Sequence, residues 1–383
     1  MESENPFEQA APKQTLRMRW VAWRNGILSS QRFQDWAARN VFLRPFARRK
    51  ANDLFDLVAG FTYTQTLLAM IESGLLDRLQ QGACATAEAA QLADLSTPAT
   101  RRLLKSASGI GLVEEVDTDL WMLGQRGASL VPQEGAKAMV RHHSLLYRDL
   151  ADPLALLRQD RAEPTQLSEF WRYAAREDAV DEGDAAVSPY SQLMAASQAM
   201  VASEVLQAFD FRTVSALLDV GGGHGAFASA VAAKHPGIEL AIFDLPGVVE
   251  GTGPILAQTD LDDRIALHGG DFFKDELPDG YDVISLVRIL HDHDDVPAQA
   301  LLDSTRRALA KDGRLLIAEP MSDASGAAAM GETYFGMYLW AMRSGRPRRS
   351  GELMQMLEKA GFSSAHRLHT AQPMVTSVIV ATA

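Results

Sequence analysis

Short apolar runs alternate with helix-like segments in the second half of the chain. From residue 214 onward, β-branched and apolar runs are separated by stretches in which apolar residues recur at helical spacing. The runs that predict strands are Ala216–Val220, Leu240–Asp244, Tyr281–Leu286 and Arg314–Ala318, and the helical stretches are Ala226–Lys234 and Pro297–Ala310. This alternation indicates an α/β domain with a largely parallel sheet, and ligands of such sheets bind at the carboxyl ends of the strands.

Helical spacing dominates the first half of the chain. Ala47–Leu76 predicts a pair of helices, with Gly60 and Gly74 as the weak points. Residues 77–131 predict helix, turn, helix and hairpin, which is the order of a winged helix. The second of these helices carries few basic residues and the body is acidic, so a scaffold or dimerisation module is favoured over DNA binding. Ser191–Phe209 predicts a helix that bridges to the next domain.

These patterns divide the chain into three predicted units. Residues 1–50 form a basic aromatic arm, residues 51–190 a helical, winged-helix-like dimerisation domain, and residues 191–383 a catalytic domain. The length of 383 residues is sufficient for two or three domains.

The arm differs from the rest of the chain in charge. The whole chain has a net charge of −12, but residues 1–50 sum to +6 and include three of the six tryptophans. Leu16, Trp20, Trp23 and Ile27 recur at helical spacing. Three interpretations are open: the arm packs on its own domain or a second subunit, it lies on a membrane surface, or it binds nucleic acid.

Other features of the composition restrict where the protein works. The chain has a single cysteine, Cys84, which indicates a reducing compartment. It has no run of about 20 uninterrupted apolar residues, and its acidic N-terminus is unlike a signal peptide. We therefore expect a cytoplasmic protein. Peripheral contact with the inner or intracytoplasmic membrane through residues 13–50 is the further hypothesis.

The strongest local motif is the glycine-rich segment 217–227, in which a buried strand runs into four glycines and then a helix. Glycines allow a tight turn and the close approach of a ligand. Asp244 ends the next strand, 21 residues after Gly223, where a carboxylate can bind ribose hydroxyls. An acid followed by aromatic residues, in Gly270–Phe273, can bind an adenine. These residues together indicate an adenosyl pocket, although the glycines alone also fit a dinucleotide site.

The order of four motifs resembles that of the S-adenosylmethionine-dependent O-methyltransferases of the caffeic acid/hydroxyneurosporene type. The motifs are Asp-Val-Gly-Gly-Gly-His-Gly (219–225), Phe-Asp-Leu-Pro (243–246), Gly-Asp-Phe-Phe (270–273) and Leu-His-Asp-His-Asp (290–294). The resemblance implies a Rossmann-like domain with a mostly parallel seven-stranded sheet, behind a winged-helix-like domain that forms a homodimer. It implies S-adenosylmethionine as cofactor and no metal. The residues that it implies for the cofactor are Asp219, Gly221, Gly223, Gly225, Asp244, Leu245, Asp271, Phe272 and Arg288.

The resemblance also implies catalytic and acceptor residues. His291 matches the general base, Glu319 the acid that orients it, and Asp292 belongs to the same catalytic group; His293 is expected to be a surface neighbour. A histidine suits removal of a proton from the acceptor hydroxyl near neutral pH. The residues expected to line the acceptor are Met194, Tyr334, Met337 and Tyr338, of which the last three form a helical stripe that ordinary core packing would also explain. Pro347 replaces the second glutamate of the family's Gly-Lys/Arg-Glu-Arg segment, so the second support of the base is missing or is supplied otherwise.

The basic aromatic arm gives information about the chemical class of the methyl acceptor. With its arginines and tryptophans it resembles the carotenoid 1-hydroxyl O-methyltransferases of purple phototrophic bacteria, of the demethylspheroidene/hydroxyneurosporene type. That resemblance implies methylation of a tertiary alcohol on an acyclic, apolar carotenoid, and no nucleic-acid partner. A methyltransferase of a soluble phenol, polyketide or tetrapyrrole is the alternative within the class. An NAD-dependent oxidoreductase and a winged-helix regulator are the alternatives from other classes.

Overall fold

The computed structural model describes residues 15–174, 189–325 and 329–383, with side chains over 15–171, 197–325 and 330–383. The chain begins with a helical arm. The helices are α1 (Leu16–Leu28), α2 (Gln31–Arg39) and α3 (Arg44–Glu72). Helix α3 runs through Gly60 without a break, and the chain turns instead at Gly74, whose φ of 69° is the left-handed conformation that glycine adopts readily. The predicted pair of helices over Ala47–Leu76 is therefore one long helix and the start of a second.

The front domain contains a small core surrounded by short helices. Its elements are α4 (Leu75–Gln80), β1 (Cys84–Ala85), α5 (Thr86–Leu92), α6 (Thr97–Gly109), β2 (Val113–Asp117), β3 (Leu120–Leu123), α7 (Gln125–Leu130), α8 (Glu134–Asp149), α9 (Pro153–Arg158) and α10 (Gln166–Ala174). Strands β1, β3 and β2 form an antiparallel sheet in that order, which includes the predicted hairpin. Trp121 is buried in this core, and its ring nitrogen donates to the Thr86 hydroxyl at 2.9 Å.

The second half of the chain folds as the predicted α/β domain. Its elements are α11 (Pro189–Ala208), β4 (Ala216–Val220), α12 (Ala226–Lys234), β5 (Glu239–Asp244), α13 (Pro246–Ala257), β6 (Ile265–Gly269), β7 (Val283–Val287), α14 (Asp295–Ala308), β8 (Arg314–Glu319), α15 (Gly336–Met342), α16 (Ser350–Lys359), β9 (Ser364–Leu368) and β10 (Ser377–Thr382). Two 3₁₀ turns, Phe211–Thr213 and Leu290–Asp292, and a π-helical segment, Ala329–Phe335, complete it.

The sheet of this domain has seven strands in the order β6-β5-β4-β7-β8-β10-β9. Strands β4 to β8 are parallel and β10 is antiparallel to both of its neighbours, so the predicted mostly parallel sheet is confirmed. Both faces are covered by apolar side chains, as parallel sheets require. The strand order reverses between β4 and β7, and in open α/β sheets the carboxyl ends of the strands at such a switch point are where ligands bind.

The predicted unit boundaries after residues 50 and 190 fall inside α3 and α11 respectively. The division into an arm, a dimerisation domain and a catalytic domain therefore remains a prediction. The front half packs on the second half mainly through α8 against α11. Helices α8, α10 and α15 add a smaller shared cluster that includes Leu146, Leu167 and Leu339.

Candidate active site

A glycine loop joins β4 to α12 at the switch point of the sheet. Gly221, Gly223 and Gly225 have φ values of 71°, 54° and 79°, which L-residues with a side chain rarely adopt. A Cβ on Gly221 would overlap the Ile289 side chain, whereas a Cβ on Gly223 would meet no protein atom within 4 Å. The open space at Gly223 is thus a cradle in which the backbone can approach a ligand.

Asp244 lies at the carboxyl end of β5 and faces the glycine loop. Its Oδ2 accepts a hydrogen bond from the Gly223 backbone at 2.7 Å, and its Oδ1 accepts one from the Leu245 backbone at 2.7 Å. Burial raises the pKa of Asp244, and the two backbone donors oppose that effect. The carboxylate is fixed in one orientation, with lone pairs that remain free for a ligand hydroxyl.

Asp219 belongs to the same region but lies beneath the loop. Its side chain is only 1% exposed, and it accepts a hydrogen bond from the Ser285 hydroxyl at 2.6 Å. Burial raises its pKa to about 7. A Cβ on Gly222 would lie 2.8 Å from Asp219 Oδ2, so this carboxyl supports the loop from below. We infer that any contribution of Asp219 to cofactor binding acts through the shape of the loop.

Asp271 and Phe272 follow β6 on the other side of the crevice. The Asp271 carboxylate accepts from the Phe273 backbone at 2.9 Å and pairs with Lys274 at 2.7 Å, and the lysine lowers its pKa. The Phe272 ring contacts Phe273 and, at 5.7 Å between centroids, His293. His293, which was expected to be a surface neighbour, is half-buried, and its ring contacts both phenylalanines, with its centroid 5.0 Å from that of Phe273.

His291 lies in the 3₁₀ turn that follows β7 and is only 5% exposed. Glu319, at the end of the neighbouring strand β8, is fully buried. Its Oε2 accepts from the His291 backbone nitrogen at 3.0 Å and lies 3.4 Å from ring Nδ1. The structure thus brings together two residues that are 28 positions apart in the sequence. This contact holds the imidazole so that Nε2 faces away from Glu319.

Asp292 faces the other ring nitrogen. Its Oδ1 lies 3.2 Å from His291 Nε2, so the imidazole has a carboxylate beside each nitrogen. Burial lowers the pKa of His291, but Asp292 and Glu319 outweigh that effect, and the pKa is raised above the ordinary histidine value. Two carboxylates therefore make this imidazole a stronger base than an isolated one.

Arg288 precedes this turn and has a φ of 60°, an uncommon conformation for a residue with a side chain. Its guanidinium donates to the Ser197 hydroxyl at 2.8 Å, which connects α11 to the end of β7. The side chain is half-buried beside the crevice. Its predicted contact with the cofactor remains a prediction.

The crevice fits an adenosyl cofactor. The glycine cradle leaves backbone room, Asp244 offers a fixed carboxylate to ribose hydroxyls, and Asp271 with Phe272 offers an acceptor and an apolar ring to adenine. These side chains come from the ends of three adjacent strands, β4, β5 and β6. Within residues 15–171, 197–325 and 330–383, no group of three His, Cys, Asp or Glu residues is arranged to hold a metal.

The predicted acceptor residues lie on the π-helical segment and α15. The Tyr334 hydroxyl pairs with His143 Nε2 at 2.7 Å, and the Tyr338 hydroxyl pairs with His142 Nε2 at 2.8 Å. Burial lowers the pKa of both histidines, that of His142 to about 4. Tyr338 is 6% exposed and Met337 packs in the same cluster, so this stripe is also interdomain core. The Met194 side chain lies outside the described residues.

Sequence reasoning missed three residues around this site. His142 and His143 were not predicted as site residues, although two adjacent histidines on an amphipathic helix are a recognisable signal. Arg348 was not predicted as a site residue, yet its guanidinium is fully buried. Nothing in the local sequence distinguishes Arg348 from the exposed Arg349 beside it.

Comparison with known proteins identifies the family. A family model of the O-methyltransferase domain matches residues 147–363. The chain is 38% identical to demethylspheroidene O-methyltransferase from Cereibacter sphaeroides over 93% of both chains. It is 39% identical to the enzyme of that name from Rhodobacter capsulatus, over 97% of this chain and 91% of that one.

Solved structures agree with this assignment. The methyltransferase CalO1 of calicheamicin biosynthesis, in its S-adenosylhomocysteine-bound form, aligns with a TM-score of 0.70 and 27% identity, over 87% of this chain and 98% of that one. The predicted enzyme class and cofactor are confirmed. The NAD-dependent oxidoreductase and the winged-helix regulator are thereby set aside. The chain belongs to the S-adenosylmethionine-dependent O-methyltransferases.

Proposed function

We propose that this enzyme methylates the tertiary 1-hydroxyl of an acyclic carotenoid, with His291 as the general base. The observation that carries the proposal is the similarity to two demethylspheroidene O-methyltransferases over nearly the whole chain. Because one alignment covers 97% of the chain, it extends into the basic aromatic arm. The aligned region thus includes the segment whose arginines and tryptophans resemble those of carotenoid 1-hydroxyl O-methyltransferases.

The geometry around His291 fits proton removal from a hydroxyl. When bound, S-adenosylmethionine supplies a methyl group on a sulfonium, which an oxygen nucleophile attacks in line. His291 Nε2 accepts the hydroxyl proton while Nδ1 remains toward Glu319. Once protonated, the imidazolium has Asp292 beside Nε2 and Glu319 beside Nδ1, so both of its N–H groups have carboxylate partners.

The raised pKa of His291 suits removal of a proton from an aliphatic hydroxyl. An aliphatic alcohol is less acidic than a phenol, so it gains more from a strong base in the transition state. The two carboxylates beside the ring supply that strength. Pro347 takes the place of the second glutamate in the family's segment, which left the second support of the base unassigned. Asp292 lies beside the base and can provide a second carboxylate.

The wall formed by α8, the π-helical segment and α15 suits an apolar acceptor. The hydroxyls of Tyr334 and Tyr338 are already bonded to His143 and His142, so their rings present mainly apolar surface. Phe335, the last residue of the π-helical segment, is the part of this wall that approaches the base: its ring centroid lies 5.0 Å from that of Tyr334 and 6.3 Å from that of His291. We propose that Tyr334 and Met337 contact the polyene and that Tyr338 supports them from behind.

The test is transfer of a labelled methyl group. The enzyme is incubated with labelled S-adenosylmethionine and either an acyclic carotenoid with a tertiary 1-hydroxyl in detergent micelles or a soluble phenol. We expect label in the carotenoid, none in its 1-deoxy analogue, and a loss of about 10²–10⁴-fold in rate for His291→Gln. Label in the phenol but not in the carotenoid would assign the alternative acceptor.

Helix α3 carries an apolar face that the described chain does not cover. Leu54, Leu57, Val58 and Phe61 lie on one side of it and are each 64–81% exposed. Between residues 54 and 72 only Asp56 and Glu72 carry a charge. An apolar, nearly uncharged face of this kind matches a second copy of itself, because isologous contacts need no opposite charge. We propose that α3 forms a homodimer contact.

The helices α1 and α2, unlike the nearly uncharged face of α3, are basic and rich in exposed tryptophan. Trp20, Trp23 and Trp36 are each more than half exposed, and residues 15–50 contain nine Lys or Arg against one acid. Aromatic rings at headgroup depth with cations around them suit an anionic lipid surface. We propose that this arm binds the membrane peripherally from the cytoplasm, which brings the site to an acceptor that dissolves in lipid.

One helix in the described part of the chain is long and apolar enough to cross a membrane, namely α3, with 11% of its most apolar window buried. Its last residues do not favour that alternative. Met70 and Ile71 are fully or nearly fully buried in the front core with Leu75 and Trp121. Insertion of α3 would withdraw these side chains from the core, so peripheral binding is the simpler proposal.

A further inference from the structure

Arg348 is a buried cation next to the catalytic turn. Its guanidinium is 0% exposed, and burial of a charge is costly unless the charge is paired and fully hydrogen-bonded. Asp295, at the start of α14, provides the counter-charge, with Oδ1 at 3.1 Å from Nε and 2.9 Å from one terminal nitrogen. Because burial of a charged guanidinium costs free energy, we looked for a role of Arg348 other than packing.

The remaining donors of Arg348 bind the backbone on both sides of the base. One terminal nitrogen donates to the Leu290 carbonyl at 2.7 Å, and the other donates to the His293 carbonyl at 2.7 Å. These carbonyls belong to the residue before His291 and to the second residue after it. A single planar group therefore fixes both ends of the turn that presents the imidazole.

The backbone of the same segment binds the other catalytic element. The Arg348 carbonyl accepts from the Ser322 backbone at 3.0 Å, and Ser322 follows β8 three residues after Glu319. Arg348 thus connects the strand end that carries the acid to the turn that carries the base. Since His291 and Glu319 must meet at one carboxylate oxygen, the distance between these two elements decides whether they do.

Neighbouring residues complete the attachment. The Arg346 backbone donates to the His291 carbonyl at 3.0 Å, and the Ser344 hydroxyl donates to the Asp292 carbonyl at 2.5 Å. Gly345 has a φ of 79°, and a Cβ there would overlap the His291 carbonyl. Segment 344–348 therefore lies directly against the backbone of the turn and can accommodate no side chain at Gly345.

We propose that Arg348 is a positioning residue that holds the His291 turn against the end of β8. It acts on the backbone of the turn. The proposal rests on His291 as the base of the proposed function. It predicts that loss of Arg348 impairs the chemical step and leaves cofactor binding intact.

The experiment compares Arg348→Lys with Arg346→Met. Lysine keeps the charge but cannot reach two carbonyls and Asp295 at once. Arg346 also pairs with Asp295, yet its side chain does not bind the turn, and its backbone contact survives substitution. We expect kcat to fall about 100-fold in Arg348→Lys, as a small misplacement of a catalytic group can do, while Arg346→Met keeps most of its kcat.

Two further measurements separate positioning from general loss of structure. In Arg348→Lys we expect the His291 ring to move away from its two carboxylates, so that the acid limb of the kcat profile shifts to lower pH. We expect the affinity for S-adenosylhomocysteine to stay unchanged. In Arg348→Ala, free guanidinium restores part of kcat. If Arg348→Ala does not fold, Asp295→Asn is used instead. This variant keeps Arg348 but removes the carboxylate that pairs with it, and we expect it to lower kcat by a smaller factor than Arg348→Lys does.

The proposal is overturned if Arg348→Lys retains the wild-type kcat and pH profile, or if Arg346→Met loses as much. A parallel loss of kcat, cofactor binding and thermal stability would also overturn it, since that pattern indicates a purely structural role. His291→Gln separates this result from the proposed function. If His291→Gln keeps the wild-type kcat, His291 is not the base and the proposed function fails. If His291→Gln is inactive but Arg348→Lys is unaffected, only the positioning role of Arg348 fails.

Discussion

One carboxylate oxygen, Oε2 of Glu319, lies 3.0 Å from the backbone nitrogen of His291 and 3.4 Å from its ring Nδ1. The same atom thus fixes both where the residue sits and how its ring is turned. A neutral imidazole is required to accept a proton, so activity is lost as the pH falls through the pKa of His291. Because that pKa is raised, we expect the acid limb of kcat/KM above the ordinary value of about 6.5.

Glu319→Gln should lower kcat by about 10- to 100-fold, the range for loss of a charge-assisted hydrogen bond. The acid limb should move to lower pH, because the carboxylate that raises the pKa of His291 is gone. The measurement is the pH dependence of methyl transfer. Glu352→Gln is the control, since Glu352 pairs with Arg346 away from the base. An unchanged acid limb in Glu319→Gln would contradict the prediction.

Asp244→Asn tests the cofactor crevice. We expect affinity for S-adenosylhomocysteine to fall about 10- to 100-fold, because a fixed charged acceptor is replaced by an amide. Calorimetric titration measures the Kd directly. Asp210→Asn is the matched control, because Asp210 pairs with Arg212 on the exposed side of the chain. Equal Kd values for the two variants would rule out Asp244 as a ligand of the cofactor.

Two glycine variants separate folding from binding. Gly221→Ala adds a Cβ that overlaps Ile289 at a φ of 71°, so we expect a lower Tm. Gly223→Ala meets no protein atom, so its cost is about 1–2 kcal/mol for the left-handed backbone, but its methyl group occupies the cradle. We therefore expect Gly223→Ala to fold and to lose cofactor affinity. Full affinity in Gly223→Ala would place the cofactor elsewhere.

The arm is tested with lipid vesicles. The triple variant Trp20→Ala, Trp23→Ala and Trp36→Ala should no longer float with vesicles that contain phosphatidylglycerol, and wild-type flotation should weaken at high salt as its arginines are screened. Leu154→Ala with Leu157→Ala is the control, because these two leucines of α9 are also exposed. Flotation of the triple variant at the wild-type level would assign the tryptophans to another contact.

The face of α3 is tested by its oligomeric state. Leu57→Asp with Phe61→Asp puts two charges on an apolar contact, so we expect sedimentation as a monomer with retained secondary structure. Leu154→Asp on α9 should leave the sedimentation coefficient unchanged. A wild-type chain that sediments as a monomer at all concentrations would end the dimer proposal.

The sequence predicts the central sheet well because its strands are buried on both faces. Ala216–Val220 and Ala226–Lys234 have the predicted ends, since apolar runs of this kind lie between glycines and polar residues. The prediction did not include the antiparallel strands β9 and β10 or the π-helical segment Ala329–Phe335. Local periodicity contains no information about which strand pairs at the sheet edge or where a helix widens.

The candidate site also contains residues that the sequence predicts and residues that it does not. Motif order brings Asp244 and His291 to the strand ends, because parallel strands end on one edge. Burial of Arg348 and the pairs that His142 and His143 form with tyrosines depend on contacts across more than 50 residues of sequence. No periodicity or spacing rule reports such contacts.

The two histidine–tyrosine pairs have a consequence for the evolution of acceptor range. Tyr334 and Tyr338 come from the second half of the chain, whereas their partners lie on α8 in the first half. The residues predicted to bind the cofactor, in contrast, lie at or after the ends of β4, β5 and β6 and, for Arg288, after β7. We therefore expect substitutions on α8 to reshape the proposed acceptor wall without a change in cofactor affinity, so that new acceptors can arise on an unaltered methyl-donor site.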